Sequence, residues 1–258
     1  MKNWILVLLV LTACGQAPPP SAEEKKEEKV LTTLKSDFLT IDYLMGKFDP
    51  GIHPDFEVIP LAYANRNGMY LRKDVFEAYL QMHAAAKEDG VNLVIISATR
   101  PFDHQKSIWE AKWTGERLVG GKDLSEAMPD PVQRAYKILE YSSMPGTSRH
   151  HWGTDFDLND LENSYFASGE GKKIYDWLVV HAAEYGFCQV YTPKGEDRPY
   201  GYNEEKWHWS YVPVAKQLTD FAKANLTDEM ISGFQGAEAA KGIAVVEKYV
   251  LGVNAECK

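Results

Sequence analysis

The chain has 258 residues with a formal net charge of -9, 45% of them hydrophobic and 12% aromatic. That is enough apolar material for one well-packed domain with helical or looped additions. The acidic balance lacks the clustered Lys and Arg of a phosphate-tracking surface, so nucleic acid is excluded as a partner and an acidic, monomeric soluble enzyme is expected.

The first residues read as an export address. Lys2 precedes the apolar run Trp4 to Leu11, which has the charge and length of a secretory signal and is too short to span a bilayer as a stable helix. Leu11-Thr12-Ala13-Cys14 resembles the bacterial lipoprotein signal, in which cleavage follows Ala13 and Cys14 is lipidated as the new first residue. An ordinary secretory signal with an incidental Cys is the alternative. Residues 1–13 are thus expected to be a signal peptide. Residues 14–29, with Pro18-Pro19-Pro20 and the charged run Glu23 to Glu28, are expected to be a flexible tether. The protein would then sit in the cell envelope, lipid-anchored on a periplasmic or extracellular membrane face. Cys188 and Cys257 remain as an even pair in an oxidising setting, and a disulfide between them needs Cα atoms within about 7 Å, which the sequence leaves open.

From Val30 onward the pattern is that of a folded domain. Residues 71–87 carry Val75, Phe76, Tyr79, Leu80, Met82 and Ala86 on one helical face, and Asp89-Gly90 ends the helix. Residues 91–97 follow as a buried strand. Helices are expected over 103–113, 131–141 and 172–185, the last stopped by Gly186, and short strands over 154–158 and 206–212. After Pro213, helices over 214–224 and 228–250 would bury Ile231, Phe234, Ala239, Ile243, Val246 and Tyr249. Helices and strands mix without regular alternation, so the class is α+β, with a domain over 30–213 and a helical extension over 214–258 packed on it.

Two clusters fall on those short strands. Ser148-Arg149-His150-His151-Trp152-Gly153-Thr154-Asp155-Phe156-Asp157 and Glu205-Lys206-Trp207-His208 together offer His150, Asp157 and His208, three nitrogen and oxygen ligands that leave a zinc ion one open position. Gly153 permits a sharp bend, so a ligand before it and one on the next strand can converge. Glu205 lies three residues before His208. A turn brings the two side chains to one side, whereas a straight strand separates them, so a bend is expected near Lys206. His53, His83, His104 and His181 have no such company and read as ordinary structural histidines.

These residues resemble the zinc metallopeptidase family of D-alanyl-D-alanine carboxypeptidases and L,D-carboxypeptidases that act on peptidoglycan. Ser148, His150, Gly153 and Asp157 match its Ser-x-His-x-x-Gly-x-x-x-Asp motif, and Glu205, Trp207 and His208 match Glu-x-Trp-His. Ser97-Ala98-Thr99-Arg100 with downstream Gln105 looks like its strand-end Arg and Gln. The resemblance implies an α+β fold shared with the hedgehog signalling domain, built on a small antiparallel sheet with flanking helices. It also implies zinc held by His150, Asp157 and His208, with Glu205 as general acid and base. Arg100 suits a bidentate grip on a terminal carboxylate, which makes an exopeptidase of the enzyme, and Gln105 accompanies it. Ser148 either orients that carboxylate or caps the turn before His150. His151 and Tyr211 are either donors near the metal or packed residues with satisfied polar tips.

Asp155 departs from the commoner family pattern, which has a small apolar residue there. On a strand it shares a face with Asp157, and it could orient a liganding His, accept a substrate ammonium group or point away in a bulge. The expected activity is a D,D-carboxypeptidase releasing the terminal D-Ala of peptidoglycan stem peptides. An L,D-carboxypeptidase or endopeptidase would share its chemistry. A zinc-stabilised, non-catalytic cell-wall-binding module is the rival, and it would have no chemical need for Glu205.

Overall fold

The computed structural model describes residues 38–258, so the expected signal peptide, Cys14 and the tether lie outside the described residues. In chain order the regular elements begin with helix α1 (Ile41–Leu44), strands β1 (Phe56–Val58) and β2 (Tyr70–Arg72), helix α2 (Lys73–Glu88) and strand β3 (Ile95–Ser97). Helices α3 (Phe102–Trp113), α4 (Leu124–Ala127) and α5 (Pro131–Ile138) follow, then β4 (Asp155–Leu158), α6 (Gly169–His181), β5 (Phe187–Gln189) and β6 (His208–Tyr211). Helices α7 (Val212–Asn225) and α8 (Ala239–Ile243) close the series.

The β1–β2 pair is a separate antiparallel ribbon, and the main sheet runs β3-β4-β6-β5 with every neighbour antiparallel. Side chains alternate across such a sheet, so each strand contributes to two faces. Phe156, Leu158, Trp207 and Trp209 point into the main core, where Val75, Phe76, Tyr79, Met82 and Ala86 of α2 and Ile174, Trp177 and Leu178 of α6 meet them. Asp155, Asp157, His208 and Ser210 occupy the opposite face. The β4–β6 register sets Asp157 against His208 and Asp155 against Ser210.

Local chemistry explains the boundaries. Asp130 caps α5 by accepting from the Gln133 amide, with Pro131 pre-set in the first turn. Gly90 takes the left-handed conformation just past α2 at φ 73°. The helix expected from residue 71 starts two residues later because Leu71 and Arg72 pair with Glu57 and Phe56 in the ribbon.

The extension corrects the sequence reading most. No continuous helix spans 228–250; a 3-10 turn at Asp228–Met230, the short α8 and a π-helical turn at Val246–Val250 replace it. Gly233 and Gly236 sit at φ 89° and 83°, which a helix forbids, and a Cβ on Gly236 would strike the Trp113 ring at 2.4 Å. All six apolar residues expected to pack are nevertheless buried. Cys188 and Cys257 form a disulfide with Cα atoms 5.8 Å apart, tying the chain end to β5, and Leu39–Lys258 forms one compact unit.

Candidate active site

The first cluster is shaped by a 3-10 turn, Arg149–Trp152, that ends at Gly153 in the left-handed region at φ 71°. A Cβ at Gly153 would lie 2.3 Å from the Phe56 ring, so glycine is required both for the bend and for the approach of the β1–β2 ribbon. His150 leaves that turn and meets Asp157, the third residue of β4, with Nε2 and Oδ1 3.3 Å apart. His208 enters from β6 across the ladder, its Nδ1 3.6 Å from Asp157 Oδ1. Ligand atoms of these three buried residues all lie within 4.8 Å of one another, and among the described residues no other His, Cys, Asp or Glu group does this.

The backbone turns at Lys206 and Trp207 and lets the His208 amide donate to the Glu205 carbonyl, the expected bend. Glu205 Oε2 therefore stands 3.1 Å from His208 Nδ1. His150 donates from Nδ1 to the Ala98 carbonyl at 2.9 Å, which turns Nε2 toward Asp157. His150 Nε2 and Asp157 Oδ1 are both buried without a hydrogen-bond partner. Orphaned buried polar atoms are costly, and a nitrogen–oxygen pair converging with a second imidazole is the donor set a zinc ion takes.

The electrostatics fit the same occupant. Burial alone would raise the Asp157 carboxyl, but His150, His208 and Arg100 outweigh it and bring its pKa down to about 2. Burial, reinforced by Arg100, lowers His150 to about 4, which keeps its imidazole neutral, as a metal ligand must be. Against the pull of burial, Asp155, Glu205 and Asp157 raise His208 to about 9. Burial holds the Glu205 carboxyl above the ordinary range. With His208 protonated, the carboxylates of Asp155, Asp157 and Glu205 are balanced by Arg100, Arg149 and that imidazolium, so a cation bound here would take the place of the His208 proton.

Arg100 lies just past β3, its backbone fixed on both sides: its amide donates to the His150 carbonyl, and its carbonyl accepts from His151 Nδ1 at 2.5 Å. His151 Nε2 accepts the Gly146 amide in turn, so this histidine is a packed pin with both nitrogens satisfied. The Arg100 side chain donates through Nη1 to Gln105 Oε1 at 3.0 Å, and Gln105, wholly buried on α3, donates to the Ser143 carbonyl. Arg100 Nη2 is 3.8 Å from Asp157 Oδ2, while Nε is buried and unpartnered. Arg100, His150, Glu205 and His208 line one small cavity with Tyr141, Tyr191 and Tyr202 around it. Ser148 stands at the cap position of the 3-10 turn, but its hydroxyl makes no capping bond and is buried without a partner.

Tyr211 packs on the core beside Phe187, away from this cluster. His53 and His83 sit among aromatic rings, as structural histidines do. Arg149 and Ser210, which bond Asp155, and Tyr191 and Tyr202, which line the cavity, are residues of this site that the motifs do not specify. Of these, Arg149 carried a signal, since a second carboxylate in the motif calls for a cation nearby and Arg149 lies six residues before Asp155.

A small antiparallel sheet with flanking helices, presenting a buried His-Asp-His cluster beside a carboxylate, defines a zinc-metallopeptidase-like active site. Residues 68–214 match the family model for VanY, D-alanyl-D-alanine carboxypeptidase, and the chain belongs to that family. YodJ of Bacillus subtilis is 30% identical over 161 residues, a stretch that makes up 58% of this chain and 50% of YodJ, so the chain spans about half the length of that relative. Among solved structures, VanYB in complex with D-alanine-D-alanine aligns with a TM-score of 0.47 at 24% identity, covering 67% of this chain and 86% of its own. The LdcB LD-carboxypeptidase aligns with a TM-score of 0.48 at 23% identity, covering 79% and 81%.

Proposed function

We propose that this chain is a zinc-dependent D,D-carboxypeptidase that hydrolyses the terminal D-Ala from peptidoglycan stem peptides. The observation that carries the reading is the convergence of His150, Asp157 and His208 on one point, beside the buried Glu205 and within reach of Arg100. In this reading His150 Nε2, Asp157 Oδ1 and His208 Nδ1 hold Zn2+. Zinc there supplies Lewis-acid activation of water and stabilisation of negative charge developing on the scissile carbonyl. Glu205, with its carboxyl raised by burial, accepts a proton as water attacks and returns it to the departing amine. Arg100, steadied by Gln105, grips the terminal carboxylate of the peptide, and the unpartnered Ser148 hydroxyl is a further donor to it.

The family's description favours cleavage between two D-Ala residues. An L,D-carboxypeptidase or endopeptidase would use the same centre, because pocket shape and not the metal chooses the bond. A non-catalytic binding module is disfavoured, since Glu205 is a buried carboxylate with no structural ion pair other than the candidate ligand His208. Residues 30–213 form the catalytic domain in this reading and residues 214–258 an extension packed on it. The Leu11-Thr12-Ala13-Cys14 motif supports tethering of a monomer to the membrane through lipid on Cys14, and among the described residues no helix is long and apolar enough to cross a membrane. The test is hydrolysis by Glu205→Gln: it should keep zinc and lose nearly all release of D-Ala, and activity equal to wild type would refute the mechanism.

A further inference from the structure

Behind the candidate metal site lies a buried charge network that the hydrolytic chemistry does not call for. Asp155 is wholly buried on β4, and its Oδ2 is 2.9 Å from His208 Nε2 and 3.1 Å from Arg149 Nε. Its Oδ1 accepts from the hydroxyls of Thr154 and Ser210, each at 2.6 Å. Arg149 completes the network: Nη2 donates to Ser210 Oγ at 3.0 Å, Nη1 to Thr219 Oγ1 on α7 at 2.9 Å, and the guanidinium lies 4.5 Å from the centre of the Trp152 ring.

Resting on the reading that the cluster holds zinc, we propose that Asp155, anchored by Arg149, is a positioning residue that fixes His208 with Nδ1 toward the metal. The β4–β6 register places Asp155 behind the ligand: Asp157 faces His208 across the ladder and Asp155 faces Ser210, one pair farther along the same face. A histidine that donates from Nε2 to a carboxylate is held in the tautomer whose Nδ1 lone pair is free, and the carboxylate makes that nitrogen a stronger ligand. His150 is held instead by the Ala98 carbonyl through Nδ1. The two imidazoles thus offer opposite ring nitrogens to the same point.

Asp155 has no exposed surface, which removes a substrate ammonium group as its partner, and it lies in the regular β4–β6 ladder and not in a bulge. An isolated carboxylate at this depth would be prohibitively desolvated, and Arg149 neutralises it. The two residues act as one unit reaching from α7 to a metal ligand.

The test is zinc affinity of the full chain, measured by competition with a chromophoric chelator, together with 15N spectra of its histidines in the zinc-loaded state. Asp155→Asn should weaken zinc about 10- to 100-fold. The neutral pair Arg149→Met with Asp155→Ala, which leaves no charge buried alone, should weaken it in the same range if the single variant fails to fold. In wild-type protein His208 should be bound through Nδ1 with its proton retained on Nε2. Zinc affinity of the foldable variant within twofold of wild type, or His208 bound through Nε2, overturns the positioning role while leaving the zinc reading intact. Wild-type protein that takes up no zinc overturns both.

Discussion

Glu205 and His208 touch each other, yet their removal should have different consequences. Glu205→Gln preserves shape and removes a proton acceptor, so we expect full zinc content with hydrolysis reduced by about 10^2- to 10^4-fold. His208→Ala removes a ligand and should lose zinc and activity together; metal analysis beside a rate assay checks both. At Arg100 the expected effect is on binding. Gln105→Ala frees a guanidinium now held at 3.0 Å, and should raise KM about tenfold, the worth of one charge-assisted hydrogen bond, with kcat nearly unchanged. A fall in kcat at constant KM would place Gln105 elsewhere in the mechanism. The residues brought together here were legible in the sequence because their chemistry is carried by side-chain type and motif spacing. The place of Asp155 was not, because its partners His208 and Ser210 lie 53 and 55 residues away, Thr219, which holds Arg149, lies 70 residues from that arginine, and only strand register and the docking of α7 bring them in.

Gly153 tests how far one backbone position sets the site. A side chain there must adopt a positive φ and push against Phe56, so Gly153→Ala should cost at least about 2 kcal/mol of stability in a denaturant titration. A change below about 0.5 kcal/mol would mean the 3-10 turn rebuilds freely. The helices over 103–113 and 131–141 were legible from apolar spacing, and their observed limits, Phe102–Trp113 and Pro131–Ile138, differ by one and three residues at an end. The strands are shorter than their apolar runs: Val91, Leu93 and Val94 are buried or partly so without being strand, since hydrophobicity reports burial and not ladder partners. The same distinction explains the tail. Ile231, Phe234, Ala239, Ile243, Val246 and Tyr249 are inside as their pattern implied, but the glycines at 233 and 236 and the left-handed Ala244 at φ 59° break the helix that pattern suggested.

Across the whole molecule, the chain end is bound to the sheet that carries the site. The Cys188–Cys257 bond closes a loop with a sequence separation of 69, and Asn254 adds bonds to the Val190 and Gln189 carbonyls. Replacing both cysteines by serine should lower stability by about 2–4 kcal/mol, read as a lower melting temperature that reductant no longer changes. A melting temperature equal to wild type would show that packing of the extension alone suffices. If Cys14 carries the lipid, Cys14→Ser should move the protein from the membrane to the soluble fraction with kcat unaltered, and continued membrane association would exclude that anchor. The central claim is the reaction itself. Purified, zinc-loaded protein should release the terminal D-Ala from a muropeptide pentapeptide and leave the corresponding tetrapeptide intact; no release of D-Ala from the pentapeptide with zinc present would contradict it.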